Sequence, residues 1–434
     1  MFFVSFVVQK ARWRRGVSHS EYTICHMQRH HHQLDNGLTI IGEYDASARS
    51  LAMGYFVRTG SRDETPEVSG VSHFLEHMMF KGTKRRTPED VNREFDEMGA
   101  RYNAFTSEEM TVYYGNVLPE FQERLLDLLS DMMRPSLRDE DFDMEKNVIL
   151  EEIAMYEDRP QFAVFDKLRE KYFGAHPLGA SVLGTTQSIT DLQRDQMHEY
   201  FRRRYAANNL TLVLAGQYDW DAVKAQAEAR CSAWNTADSP RALPGHQAQA
   251  QTFVERNDKF NRAHIALMAP GLSAQDARRY AAAVGAEAIG AGEGSRLYWS
   301  LVHTGLAQAA QTGHDPSDGA GVYYGYILAD PNRAAQVLQS FRAEVDKACR
   351  EGLSEEEVER VKRRLASGMV LSAETPMGRL RPLGSDWLYR REEKSLQDAL
   401  DLLLSVTTRE VNELLAERPF ERATTLALGP LDEL

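Results

Sequence analysis

Residues Ser72 to Thr83 read SHFLEHMMFKGT. His73, Glu76 and His77 stand at positions i, i+3 and i+4 of this stretch. On a helix those positions share one face, so two imidazoles and a carboxylate project together. Such a His-x-x-Glu-His spacing suits zinc. A catalytic zinc takes three protein ligands in a tetrahedral shell and keeps the fourth position open. His73 and His77 are read as two ligands, and Glu76 as the general base that takes a proton from water. The flanking Phe74, Leu75, Met78, Met79 and Phe80 are apolar, so the helix is expected to be largely buried. Buried imidazoles and carboxylates are costly unless something satisfies them, and a metal does so.

The third ligand is sought in EKNVILEEIAMYEDRP, Glu145 to Pro160, a helical stretch crowded with carboxylates. Glu145 and Glu152 are two helical turns apart and share a face, whereas Glu151 points roughly 100° away. Spacing leaves Glu151 and Glu152 both open.

Outward from these two stretches, apolar strands alternate with amphipathic segments. Leu38–Ile41, Leu51–Arg58, Tyr102–Thr106, Thr111–Val117 and Asn209–Ala215 read as strands. Val71–Phe80, Pro88–Met98, Phe121–Met133 and Asp143–Tyr156 read as helices; Thr87 caps the second, with Pro88 at its first position. The stretch NTADSPRALPGHQAQAQ, Asn235 to Gln251, lacks periodicity and reads as a linker between two halves. The halves echo one another. Strands ending at Gly60 and Gly271 are offset by 211 residues, and strands ending at Gly216 and Gly429 by 213. Ser354–Glu357 is a capping box that opens a helix running to about Ser367. The expected domains are 33–234 and 252–434.

The chain has 434 residues, 51 of them Lys or Arg and 64 Asp or Glu, for a net charge of −13. That balance argues against a general nucleic-acid binder, which needs a basic footprint. No apolar run approaches the ~20 residues of a spanning helix. Cys25, Cys231 and Cys349 stand far apart, form no disulfide framework or zinc spacing, and fit a reducing, cytoplasmic setting. The first residues, MFFVSFVVQKARWRRGV, place basic residues after the apolar ones, the reverse of a secretory signal. They read as an extension, 1–32, with Met27 a candidate start and His30, His31 and His32 solvated.

SHFLEHMMFKGT, NAFTSEEMTVYY (Asn103 to Tyr114), EKNVILEEI (Glu145 to Ile153) and HPLGASVLGTTQSI (His176 to Ile189), in this order, resemble the pitrilysin-type inverted-zincin metallopeptidases. The branch they resemble holds mitochondrial processing peptidase and its bacterial relatives, and the likeness runs from about Gln33 to the end. The resemblance implies an α+β fold of two tandem similar domains, each a mixed, mainly antiparallel sheet packed with helices. It implies one Zn2+ per chain, in the first domain, with Glu152 as third ligand beside His73 and His77. Glu145 matches a second acidic position that orients a histidine ligand or tunes the site. Hydrolysis of a peptide bond by activated water, with Glu76 as base, is the implied activity.

On the substrate side, NAFTSEEMTVYY resembles the family's substrate-binding edge strand. Asn103, Ala104, Phe105 and Thr106 are the candidate substrate-binding residues, pairing with an extended peptide through backbone hydrogen bonds. Ser61–Pro160 holds 24 acidic and 12 basic residues, a net of −12, which would attract basic peptides. The second half departs from the family's pattern. An Arg and a Tyr seven residues apart, expected after the Gly-rich turn of Ala288–Gln311, fall on Leu301 and Gln308; Arg296 and Tyr298 are near but misplaced. The expectation is therefore a zinc-bearing subunit of a heterodimer, whose homologous partner supplies the pair. A homodimeric processing peptidase and a non-catalytic scaffold subunit are the alternatives.

Overall fold

The computed structural model describes residues 27–434. The N-terminal extension before Met27, with Cys25, lies outside the described residues. Eleven strands among the described residues form two sheets. The first holds β1 (Gln28–Gln33), β2 (Thr39–Tyr44), β3 (Leu51–Val57), β4 (Arg101–Thr106), β5 (Thr111–Val117) and β6 (Leu210–Gly216), in the order β1-β2-β6-β3-β5-β4. The second holds β7 (Gln251–Arg256), β8 (Ala263–Pro270), β9 (Ala309–Ser317), β10 (Ala320–Ala329) and β11 (Thr424–Gly429), in the order β7-β11-β8-β10-β9.

Apart from β1 the two orders coincide strand for strand. In each sheet one pair, β2 with β6 and β7 with β11, is parallel and the other pairs are antiparallel. The sheets are mixed and mainly antiparallel; of the glycines that suggested a repeat, Gly216 and Gly429 end the matching strands β6 and β11, and Gly60 and Gly271 follow the matching strands β3 and β8. The expected boundary at Gln33 falls at the end of a strand: His30, His31 and His32 lie in β1, with His31 exposed as expected and His30 and His32 partly buried. His30 Nδ1 lies 3.0 Å from the Tyr218 hydroxyl and its ring stacks on Trp220; His31 Nδ1 is 2.8 Å from Glu393. These aromatic and carboxylate partners come from distant segments.

The first half's helices are α1 (Val71–Met78), α2 (Pro88–Glu97), α3 (Gln122–Met132), α4 (Asp139–Glu157), α5 (Pro160–Phe173), α6 (Thr186–Asp191), α7 (Arg194–Arg204) and α8 (Trp220–Cys231). The second half adds α9 (Arg279–Gly290), α10 (Ala334–Glu351), α11 (Glu355–Ala373), α12 (Pro376–Arg390), α13 (Leu396–Ser405) and α14 (Thr408–Ala416). Most helices cover one face of their own half's sheet, giving two large cores. The opposite faces are exchanged. Val164 and Leu168 of α5 pack on Ala266, Met268 and Leu426 of the second sheet. Leu380, Leu383 and Leu388 of α12 pack on Ile41, Phe56 and Val213 of the first. Both faces of β3, β6, β8 and β11 are thereby removed from water, which is why these strands read as nearly continuous apolar runs. Arg379 of α12 completes the exchange with a buried two-pronged ion pair to Glu43, at 2.6 and 2.7 Å.

The stretch read as a linker carries no helix or strand before Gln251, yet it is not a loose connector. The Arg241 side chain is 1% exposed and joins Asp63 at 2.7 Å and Asp318 at 3.3 Å. Arg62 meets Glu109 at 2.6 Å, and Arg204 meets Asp63 at 2.7 Å. Asp63 precedes α1, Glu109 lies in the β4–β5 turn and Asp318 in the β9–β10 turn, so one buried charge cluster joins the two halves beside α1.

Candidate metal centre

Helix α1 starts abruptly at Gly70, whose φ of +90° favours glycine. A Cβ there would also meet the Leu183 carbonyl oxygen at 2.5 Å. The two carboxylate oxygens of Glu64 accept 2.7 Å hydrogen bonds from the backbone N–H groups of Gly70 and Ser72. They thus satisfy donors that a helix start leaves open. The Ser72 hydroxyl lies 2.7 Å from Tyr200, which lies 2.7 Å from Thr59. These contacts fix the position of α1 one residue ahead of His73. Nothing in the local pattern singles out Glu64.

The structure brings His73, His77 and Glu152 together, with one ligand atom of each within 4.8 Å of the others. Glu152 Oε2 is 3.4 Å from His77 Nε2 and 3.7 Å from His73 Nε2. Ligand atoms bonded to one tetrahedral zinc at about 2.0–2.1 Å stand roughly 3.3 Å apart. The spacing and the two-imidazole, one-carboxylate donor set therefore fit a zinc ion. Glu151, the carboxylate that spacing left open, is exposed and is absent from this group.

Glu145 is 3% exposed and lies behind His77. It accepts a 2.8 Å hydrogen bond from His77 Nδ1 and meets Lys81 Nζ at 2.5 Å. Donation from Nδ1 leaves the Nε2 lone pair of His77 facing Glu152. Burial opposes the Glu145 charge, but His77 and Lys81 outweigh it and hold the carboxyl below its usual range. Burial, with help from His77, lowers the His73 pKa to about 3, so that imidazole is neutral and able to ligate. Lys81, which the sequence reading passed over, lies four residues after His77 in the same quoted stretch.

Glu76 turns to β4, where its Oε2 accepts a 2.7 Å hydrogen bond from the Thr106 hydroxyl. Burial raises its pKa, against the pull of that bond and of His77. A carboxylate so biased is a better proton acceptor than an exposed one. The four residues read as substrate-binding all lie on β4, the edge strand of the first sheet. Thr106 and buried Ala104 face the α1 side, Phe105 faces α12, and exposed Asn103 accepts from the Ala104 N–H. In the second half, Leu301 is fully buried, and Arg296 is taken up by Glu357 at 2.7 and 3.0 Å. Neither offers a free cation.

With this geometry in view, comparison with known proteins is direct. Residues 39–186, which hold His73, Glu76, His77, Glu145 and Glu152, match the family model of Insulinase (Peptidase family M16). Residues 191–365 match the Peptidase M16 inactive domain. The chain belongs to peptidase family M16. An uncharacterized zinc protease of Streptomyces coelicolor is 33% identical over 409 residues, covering 92% of this chain and 89% of the relative. The uncharacterized zinc protease YmxG of Bacillus subtilis is 31% identical, covering 91% and 96%. The crystal structure of a protease from Helicobacter pylori superposes with a TM-score of 0.87 at 20% identity, covering 93% of this chain and all of that one. A peptidase M16 inactive domain from Pseudomonas fluorescens superposes with a TM-score of 0.84 at 18% identity, covering 94% and 99%. At these identities the two structures speak to the two-domain M16 fold alone. No helix among the described residues is long and apolar enough to cross a membrane.

Proposed function

We propose that this M16 chain is a zinc metalloendopeptidase that cleaves peptides or short unfolded segments. The observation that carries the reading is the convergence of His73, His77 and Glu152, with Glu76 beside them and hydrogen-bonded to the open edge strand β4. His73, His77 and Glu152 would hold one zinc ion per chain. Bound there, zinc would supply Lewis acidity, polarising a peptide carbonyl and acidifying water. Glu76 takes the proton of the attacking water and returns it to the leaving amine. Thr106 holds the Glu76 carboxylate, and Glu145 orients His77. The edge of β4, at Asn103–Thr106, aligns the peptide as an added strand. The acidic balance of Ser61–Pro160 favours basic peptides.

The zinc-bearing domain is assigned to 33–234, extended back to take in β1, and the metal-free similar domain to 252–434. Buried Leu301 and engaged Arg296 support a zinc-bearing subunit whose homologous partner supplies the Arg/Tyr pair, as in a heterodimeric processing peptidase. A cytoplasmic setting accords with buried, free Cys231 and Cys349. The test uses two variants. Glu76→Gln should keep zinc and lose cleavage, whereas His73→Ala should lose both. Zinc loss in Glu76→Gln as complete as in His73→Ala would overturn the assignment of base. Full activity of the purified chain as a lone monomer or homodimer would overturn the heterodimer.

A further inference from the structure

Strand β4 is the free edge of the first sheet, and its side chains alternate between two faces. Thr106 reaches Glu76 on the metal face. Phe105 turns to the opposite face, where it packs beside the cluster formed with α12. There the guanidinium of Arg381, from α12 of the other half, sits over the Phe105 ring, 4.8 Å from its centroid. Its neighbours on the helix are engaged, Arg379 with Glu43 and Arg390 with Asp386. Arg381 is exposed and joins no ion pair among the described residues.

We propose that Arg381 is a specificity-determining residue, which selects an acidic side chain, Asp or Glu, at the substrate position lying beside Phe105. The assignment rests on the peptidase reading and on strand addition at β4. A peptide paired with β4 sends alternate side chains to the metal face and to the Phe105 face. Same-face neighbours on adjacent strands lie about 4.5–5.5 Å apart when directly opposed and about 7–8 Å apart on the diagonal. A side chain beside Phe105 therefore comes within reach of the guanidinium above it. The contact with the ring holds the guanidinium in place, and its N–H groups can bind a carboxylate through two parallel hydrogen bonds. The surrounding charge sharpens the effect. The chain carries −13 overall, so an acidic side chain is repelled over much of the surface and finds at this edge a cation that no carboxylate among the described residues neutralises.

The test compares wild type with Arg381→Glu, Arg381→Lys and Arg381→Gln, each zinc-loaded and full length. Cleavage of a synthetic decapeptide library, with Glu, Gln or Lys placed at each position in turn, is followed by mass spectrometry. Binding of the same peptides to the Glu76→Gln form, with and without the Arg381 changes, gives a readout that needs no turnover. The expected result is a preference for Glu over Lys of about tenfold in kcat/KM at one position. Arg381→Glu should invert it, Arg381→Gln abolish it and Arg381→Lys retain part of it, with other positions unchanged. Zinc content and melting temperature should not move, because the side chain is exposed. Cleavage with the same profile in wild type and Arg381→Glu would overturn the proposal and leave the peptidase reading standing. Neither cleavage nor binding by the wild-type site, assayed with the partner subunit present, would overturn both.

Discussion

The carboxylate of Glu145 lies 2.8 Å from Nδ1 of His77, and its other oxygen meets Lys81 at 2.5 Å. A carboxylate held between an imidazole and an ammonium cannot turn away, so it fixes which nitrogen of His77 carries the proton. Replacing it leaves the three candidate ligands in place but loosens one of them. Glu145→Gln should weaken zinc binding by about 10–100-fold, the usual effect of losing such a partner. Competition with a chelator measures this, and unchanged affinity would remove Glu145 from the metal centre.

Thr106 bears on Glu76 in a comparable way. Thr106→Val keeps the shape of the strand and deletes the hydroxyl that donates to Glu76 at 2.7 Å. The carboxylate is then free to swing. We expect kcat to fall by roughly tenfold or more, within the range that general base catalysis contributes, with zinc content unchanged. Steady-state kinetics and metal analysis on one preparation separate the two effects.

Glu64 supplies a dependence on pH. Burial pushes its carboxyl up to about 8, although Ser72 and Gly70 both donate to it. The folded state therefore holds this proton more tightly than the unfolded chain. The stability it contributes is fully present below about pH 4.5 and is lost as pH rises through about 8. Glu64→Gln should flatten that decline. Melting curves of both proteins between pH 5 and 9 should differ in slope, and parallel curves would contradict the assignment.

Arg241 holds the two halves together through Asp63 and Asp318, all three side chains nearly inaccessible. Arg241→Ala leaves buried carboxylates without their partner, a change that costs about 3–5 kcal/mol. Chemical denaturation should show a loss of that size, and an effect within error would mean that water replaces the guanidinium.

The exchanged helix α12 packs tightly on the first sheet at Gly384. A Cβ there would meet the Phe56 ring at 2.3 Å. Gly384→Ala should destabilise the protein by about 1–3 kcal/mol through overpacking. The same change at Gly368, where a Cβ meets nothing within 4 Å, serves as the control. A Gly384→Ala loss no larger than the Gly368→Ala effect would show that α12 shifts freely on the sheet.

Several of these relationships could be foreseen from the chain. Helical spacing alone put His73, Glu76 and His77 on one face, and α1 spans Val71–Met78, two residues short of the expected end at Phe80. Strands β3 and β5 fall where alternation placed them, within one residue. Glu151 and Glu152 were indistinguishable by spacing, since adjacent residues on a helix differ only in which way the helix is turned. Helices α5 and α12 show apolar positions, but periodicity says only that a face is covered and not by which sheet. The pairing of β1 and the burial of Arg241 within the linker were not legible for one shared reason, that their partners lie far along the chain.

Within one helix or strand the covalent backbone fixes the angle between neighbouring side chains, so the His-x-x-Glu-His face and the strand alternation follow from residue order. Contacts between segments obey no such constraint. That Glu152 meets both histidines, that Thr106 reaches Glu76 across 30 residues, that Arg241 is sealed between two halves and that Arg381 overhangs Phe105 all depend on packing. Each is set by how the helices rotate and cross to bury their apolar faces, a property of the assembled cores and not of any local run of sequence.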